Sequence, residues 1–156
     1  MRHLPVLLLS LLITVFLLTS GIEGIAQPSQ DACRSNDLWD ALQRTVERYL
    51  GRPYVWGAVG LKSFDCSGFV WRIMAENGIM LKRTTARKLY MSLPRVTKDS
   101  NYESGALVFF DNLKHVGIVR DSESFYHAQV SIGTNLSEFE PYWRRKICGF
   151  RRIPTP

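Results

Sequence analysis

The sequence predicts an α+β fold, with helices first and a meander of strands after them. Three observations carry this. Apolar residues in the first half of the chain recur every three to four positions, the helical period. From Ala106 onward the pattern changes to short runs rich in Val, Ile, Phe and Tyr. Only a few turn residues separate those runs, and short connections favour antiparallel neighbours.

The chain has 156 residues, and its beginning reads as a leader rather than as fold. Arg2 and His3 give a positive start, Leu4 to Leu18 is almost unbroken apolar sequence, and Gly24-Ile25-Ala26 offers a cleavage site. An uncleaved anchor is the competing reading, but the run is short of the ~20 residues a membrane span needs. We therefore expect a signal peptide over residues 1–26 and one domain over residues 27–156, with no stable membrane insertion once the leader is removed. No cysteine follows Leu18-Thr19-Ser20-Gly21, so lipid attachment is not expected.

The elements follow in order. Gln27 to Ala32 reads as a polar lead-in. Asn36 or Asp37 can cap a helix whose apolar face is Leu38, Leu42, Val46 and Leu50, with Gly51 and Pro53 as the stop. A turn-rich stretch from Tyr54 to Phe64 leads into Asp65-Cys66-Ser67-Gly68. Phe69, Val70, Ile73 and Met74 then repeat at helical spacing until Asn77-Gly78. Thr84 or Thr85 can cap a third, short helix that ends before Pro94. Strands are expected at Ala106–Phe110, His115–Val119 and Ser124–Val130, with turns at Asp111-Asn112 and Asp121-Ser122. A last strand is expected over Ile147–Ile153.

The net charge is +6, and removing the leader takes away one charge of each sign, Arg2 and Glu23, leaving it unchanged. A basic exported protein is drawn to anionic envelope polymers. The charges spread along the chain as solvated faces would, and no nucleic-acid motif accompanies them. There are three cysteines, Cys33, Cys66 and Cys148, so at least one thiol has no partner within the chain. An oxidising compartment permits a Cys33–Cys148 disulfide, and two buried free thiols fit the sequence equally well.

Cys66 is set apart by its position. It stands between Asp65 and Ser67 at the start of a helix, where unpaired N–H groups and the helix dipole favour a thiolate, the nucleophilic form. The same N–H groups suit an oxyanion. A buried structural cysteine is the plainer reading of a lone Cys, and the polar neighbours speak against it. A nucleophile needs a base, and with His3 lost only His115 and His127 remain. His115 opens one strand and His127 lies on the next, so a tight turn brings them side by side. Cys66 as nucleophile, His115 as base and His127 as orienting residue is the arrangement this predicts. Zinc on two His and a Cys is the rival chemistry, but no CxxC or HxxxH spacing supports it. No metal or cofactor is called for.

The segments Tyr54-x-Trp56-Gly57, Phe64-Asp65-Cys66-Ser67-Gly68-Phe69-Val70, Gly105 to Phe110, His115-Val116-Gly117-Ile118-Val119 and Tyr126-His127-Ala128 together resemble the NlpC family of cell-wall cysteine peptidases. Glu140 to Arg145 is similar to the tail of its periplasmic murein endopeptidases. The resemblance covers nearly the whole mature chain. It implies a papain-like fold, with the cysteine helix packed on an antiparallel sheet. It also implies hydrolysis of peptidoglycan stem peptides in the periplasm, at D-γ-glutamyl–diaminopimelate or diaminopimelate–D-alanine bonds. Under it, Tyr54 assists the oxyanion or substrate, or is simply a core aromatic. Asp65 and Ser67 hold the stem peptide, a carboxylate there pairing with a free amine. The chain departs from the family pattern at Ala106, at Ala58 and at Lys82, where Asp, Gly and Pro are usual. A non-catalytic wall-binding or protein-interaction domain is the alternative on the same scaffold.

Overall fold

The computed structural model describes residues 30–97 and 101–154. The leader expected over residues 1–26 lies outside them. So does the Cys33 side chain, and with it the Cys33–Cys148 pairing. Cys148 is exposed, at odds with the alternative of two buried thiols, because its strand (Ile147–Arg151) lies at the edge of the sheet.

Helix α1 (Gln30–Arg48) begins earlier than the predicted cap at Asn36 or Asp37. No Gly or Pro interrupts the preceding stretch, and both residues are solvent-exposed within the helix. There, short polar side chains cost under about 0.7 kcal/mol each relative to Ala. Leu42 and Val46 are buried as the periodicity predicts, whereas Leu50 lies past the helix end and is half-exposed.

Helix α2 (Cys66–Glu76) has the predicted boundaries. Asp65 is its N-cap, its carboxylate accepting the Gly68 N–H, and Asn77 is its C-cap. Phe69, Val70, Ile73 and Met74 are fully buried. Gly68 is needed for close approach, since a Cβ there would sit 2.1 Å from the Ala58 carbonyl oxygen. The helix start is thereby pressed against the Tyr54–Phe64 loop. Helix α3 (Ala86–Ser92) is capped by the Thr85 hydroxyl, which accepts the Lys88 N–H.

Strands β1 (Leu107–Phe110), β2 (His115–Val119), β3 (Ser124–Gln129), β4 (Gly133–Glu138) and β5 (Ile147–Arg151) form one antiparallel sheet in the order β4-β3-β2-β1-β5. Its β4 strand was not foreseen. Gly, Asn and Glu are poor strand formers, and the segment becomes a strand because β3 offers it a full ladder from Ser124↔Glu138 to Gln129↔Gly133. Thr134 adds an anchor from the other side. Its N–H donates to the Arg52 carbonyl, its carbonyl accepts the Gly51 N–H, and its hydroxyl donates to the Tyr49 carbonyl. A short helix α4 (Pro141–Arg144), opened by proline, was also unforeseen.

Both faces of the sheet are covered. Leu107, Phe109, Val116, Ile118, Tyr126 and Ala128 share a core with residues of the first three helices. On the other face Val108, Phe110, Val119 and Phe125 pack with Phe139, Phe150 and Trp143. This explains why β1 reads as a continuous apolar run rather than an alternating one. Among the described residues, no helix is long and apolar enough to cross a membrane.

Gly68→Ala should lower stability by about 1–3 kcal/mol, the usual cost of overpacking. Urea denaturation measures this, and an unchanged midpoint would show that α2 does not need its close seat on the Ala58 carbonyl.

Candidate active site

The alternation of β2 places Val116 and Ile118 on the helix-covered face and His115, Gly117 and Val119 on the other. Gly117 pairs with His127 on β3, so His115 and His127 are diagonal neighbours on one face. Gly117 makes room for them, because a Cβ there would meet the Tyr126 carbonyl oxygen and the Phe125 ring, both at 2.8 Å. The two imidazoles touch directly, His115 Nε2 to His127 Nδ1 at 2.8 Å. His127 Nε2 lies 2.9 Å from the Ser137 hydroxyl. That hydroxyl in turn donates to Asn135 Oδ1 at 3.0 Å. With Nε2 engaged, Nδ1 is the ring nitrogen His115 has left for another partner.

Cys66 arrives at the same strand end from α2. Its thiol points at the Lys114 carbonyl oxygen, 3.8 Å away, a long sulfur contact, and the Val116 N–H acts on its sulfur. Lys114 and Val116 flank His115, so cysteine and histidine are held together through the backbone on either side of the imidazole. Among the described residues, no hydrogen bond joins the thiol to the ring itself.

The other expected site residues gather round the helix start. Asp65 is almost fully enclosed by partners. Besides capping α2, its carboxylate accepts the Gly57 N–H at 2.9 Å, the Ser67 hydroxyl at 3.0 Å and the Arg83 guanidinium at 2.7 Å. Arg83 also donates to Ser67 Oγ at 2.9 Å. Tyr54 lies close enough to feel the charges of Cys66 and Asp65. Its phenol is pushed up to about 12, chiefly by burial and then by those two groups.

A helix start on its own favours a thiolate. The pull exists: N–H groups of Val116, Ser67 and Cys66 itself all lower the thiol's pKa. Burial and the Asp65 charge outweigh it and push the thiol up to about 11. His115 is held down to about 4, mainly by burial, with Lys146 pushing the same way and Asp111 opposing. His127 is held down to about 3 by burial and by His115. At neutral pH the three groups therefore rest uncharged. A thiol held neutral in this way needs a neighbouring base before it can act as a nucleophile.

Four neighbouring residues were not foreseen. Trp143 stacks on His115, with ring centres 5.6 Å apart at 25°, and meets His127 edge-on at 5.0 Å. Lys146, bonded to Asp111 at 3.1 Å and to the Tyr142 hydroxyl at 2.7 Å, ties the end of α4 to the β1–β2 turn. Ser137 and Asn135 come from β4. Their only signal in the sequence is a two-residue alternation, Asn135-x-Ser137, which gains meaning once that strand and its register are known. No group of three or more His, Cys, Asp or Glu among the described residues is placed to hold a metal ion.

The neutral histidines give stability a pH dependence. Above the ordinary histidine pKa near 6.5 both are neutral, folded or unfolded, and contribute nothing. Below it the unfolded chain takes up protons that the folded chain refuses, so stability falls as pH drops from about 6.5 towards about 4 for His115 and about 3 for His127. The two residues together should add a slope of up to about 2.7 kcal/mol per pH unit. Denaturant titrations at pH 7, 6, 5 and 4 measure it, and His127→Gln should flatten the curve. Equal slopes in both proteins would mean that His127 is not held neutral.

The site can be set beside known proteins. The NlpC/P60 family matches residues 51–152. Murein DD-endopeptidase MepS/Murein LD-carboxypeptidase of Escherichia coli K12 is 31% identical over 140 residues, 86% of this chain and 73% of that protein. Probable endopeptidase p60 of Listeria innocua is 35% identical over 117 residues, 72% of this chain. The chain spans only 24% of that relative's length. A lipoprotein-like NLP/P60 structure from Staphylococcus aureus superposes with a TM-score of 0.68 at 28% identity, covering 78% of this chain and 43% of that one. The matched span takes in the helix-start cysteine, the whole five-stranded sheet and the histidine pair, and the chain belongs to the NlpC/P60 family.

Proposed function

We propose that this chain is an exported cysteine endopeptidase that hydrolyses peptide bonds in peptidoglycan. One observation carries the reading: the Cys66 thiol lies against the backbone on both sides of His115, whose Nε2 is already taken by His127. The murein endopeptidase relative supports peptidoglycan as the substrate. The apolar leader over residues 1–26 supports export to the periplasm.

In this reading the Cys66 proton moves to His115 Nδ1 as sulfur attacks the scissile carbonyl carbon. The N–H groups at the start of α2 face the oxyanion, and the Tyr54 hydroxyl assists. The C–N bond breaks, and His115 returns the proton to the leaving amine. Water, deprotonated by His115, then attacks the thioester, which frees the carboxylate product and restores the thiol. Trp143 shields the imidazolium that forms twice in this cycle, and His127 orients it. Asp65 and Ser67 are placed to hold the peptide's amine, which would displace one of the four donors the Asp65 carboxylate already accepts, Arg83 among them. The scissile bond is the D-γ-glutamyl–diaminopimelate link of a stem or the diaminopimelate–D-alanine link of a crosslink.

Digestion of purified muropeptides, read by mass spectrometry, tests this. The protein should release stem-peptide fragments, and Cys66→Ala should reduce the rate by about 1000-fold or more. Binding without cleavage would replace the proposal with a non-catalytic wall-binding domain. A product split between sugar and peptide would make it an amidase instead.

A further inference from the structure

Beyond the histidine pair, the hydrogen bonds continue to a fixed end, and that end has a direction. The Asn135 amide nitrogen donates to the Gly133 carbonyl oxygen at 2.8 Å. A carbonyl cannot donate, so this bond decides which way round the Asn135 amide sits and turns its Oδ1 towards Ser137. The Ser137 hydroxyl donates its one proton to that oxygen at 3.0 Å. Towards His127 it can therefore only accept, so His127 carries its proton on Nε2, 2.9 Å from Ser137 Oγ. Asn135 lies directly across the strand pair from His127, which puts its side chain on the same face of the sheet. A neutral imidazole has one N–H, so His127 Nδ1 must accept. The donor is His115 Nε2–H at 2.8 Å, and His115 Nδ1 is left as a bare lone pair.

We propose that Asn135 is a positioning residue: acting through Ser137 and His127, it fixes His115 in the tautomer that presents a proton-accepting Nδ1 to Cys66. This rests on the endopeptidase reading for its role in turnover, but the tautomer itself does not depend on substrate. Without the anchor, the run of bonds from His115 to Ser137 can reverse as a whole. Each group can donate or accept in either sense, and the reversed chain puts a proton on His115 Nδ1, where it blocks the transfer from the thiol. The backbone carbonyl of Gly133 cannot reverse, and Asn135 passes that constraint along. Once the thiol proton has moved, His115 is an imidazolium, and its Nε2–H bond to His127 becomes charge-assisted and stronger. Asn135 touches neither the sulfur nor the substrate. Its effect belongs in kcat rather than in KM.

The test is nitrogen-15 NMR of histidine-labelled mature protein at pH 7, where protonated and bare ring nitrogens differ clearly in shift. The wild type should show Nε2–H on both His115 and His127. Asn135→Leu should give a mixed tautomer signal on both rings. Its kcat on muropeptides should fall about tenfold, with KM within about twofold, a modest share of the usual general-base contribution. Ser137→Thr, which keeps the hydroxyl, should retain the wild-type tautomers. If Asn135→Leu does not fold, Asn135→Ser replaces it; a freely turning hydroxyl there should also give a mixture. A wild-type Nδ1–H signal on His115 overturns the proposal. So does an Asn135 variant that folds and keeps both Nε2–H signals. Correct wild-type tautomers with no muropeptide cleavage would refute the endopeptidase reading and leave this one standing.

Discussion

The carboxylate of Asp65 is the point on which the site depends. It caps α2 through the Gly68 N–H, holds the Tyr54–Phe64 loop through the Gly57 N–H, binds the Ser67 hydroxyl and pairs with Arg83 ahead of α3. Three separate pieces of chain are thus referred to one side chain adjacent to Cys66. An N-cap alone is worth about 1 kcal/mol. This one also answers a buried negative charge with a guanidinium and three further donors, the condition under which a buried carboxylate is tolerated. With α2 so fixed, the sulfur of Cys66 has little freedom except along its own side-chain torsion.

The same enclosure sets the electrostatics. At an exposed helix start the dipole is worth about 0.3–1 kcal/mol in favour of an anion. Here Cys66 is 7% exposed and lies beside Asp65, and the loss of water outweighs the helix end. On the far face of the sheet Phe110, Phe125 and Trp143 surround the two imidazoles and remove water there as well. In the proposed reaction, charge separation would wait until a substrate occupies the site. Neutral partners that must exchange a proton need their hydrogens in the right places beforehand, and the hydrogen-bonded run from His115 to β4 addresses that need.

Much of this was legible in the sequence, and the exceptions have physical reasons. The boundaries of α2 and α3 and the cores of the first three strands follow from caps and periodicity. Cys66, His115 and His127 stood out because a nucleophile at a helix start narrows the search for a base to very few residues. Strand β4 escaped because Gly133, Asn135 and Glu138 have no strand preference of their own; β3 and Thr134 impose it. Ser137 and Asn135 escaped with it, since their role depends on register rather than residue type. Trp143 escaped because a one-turn helix after proline has no periodicity to read. The thiol's protonation was misjudged because burial, the larger effect, is a tertiary property, whereas the helix start is local.

The bonds from Thr134 to Tyr49, Gly51 and Arg52 lock strand β4 to the end of α1. Their spacing therefore acts as a ruler between two distant parts of the chain. If β4 kept those bonds with one residue gained or lost between Arg48 and Tyr54, it would slide by one place along β3, and in a strand a one-place slip turns every side chain to the opposite face. Thr134 and Leu136 would then stand where Asn135 and Ser137 face His127. The exposed hairpin tip at Val130–Ile132 carries no such coupling and is the natural place for inserted sequence. For anyone grafting tags or loops onto this scaffold, the short turn after α1 is the segment whose length must be conserved, although it contributes no side chain to the chemistry.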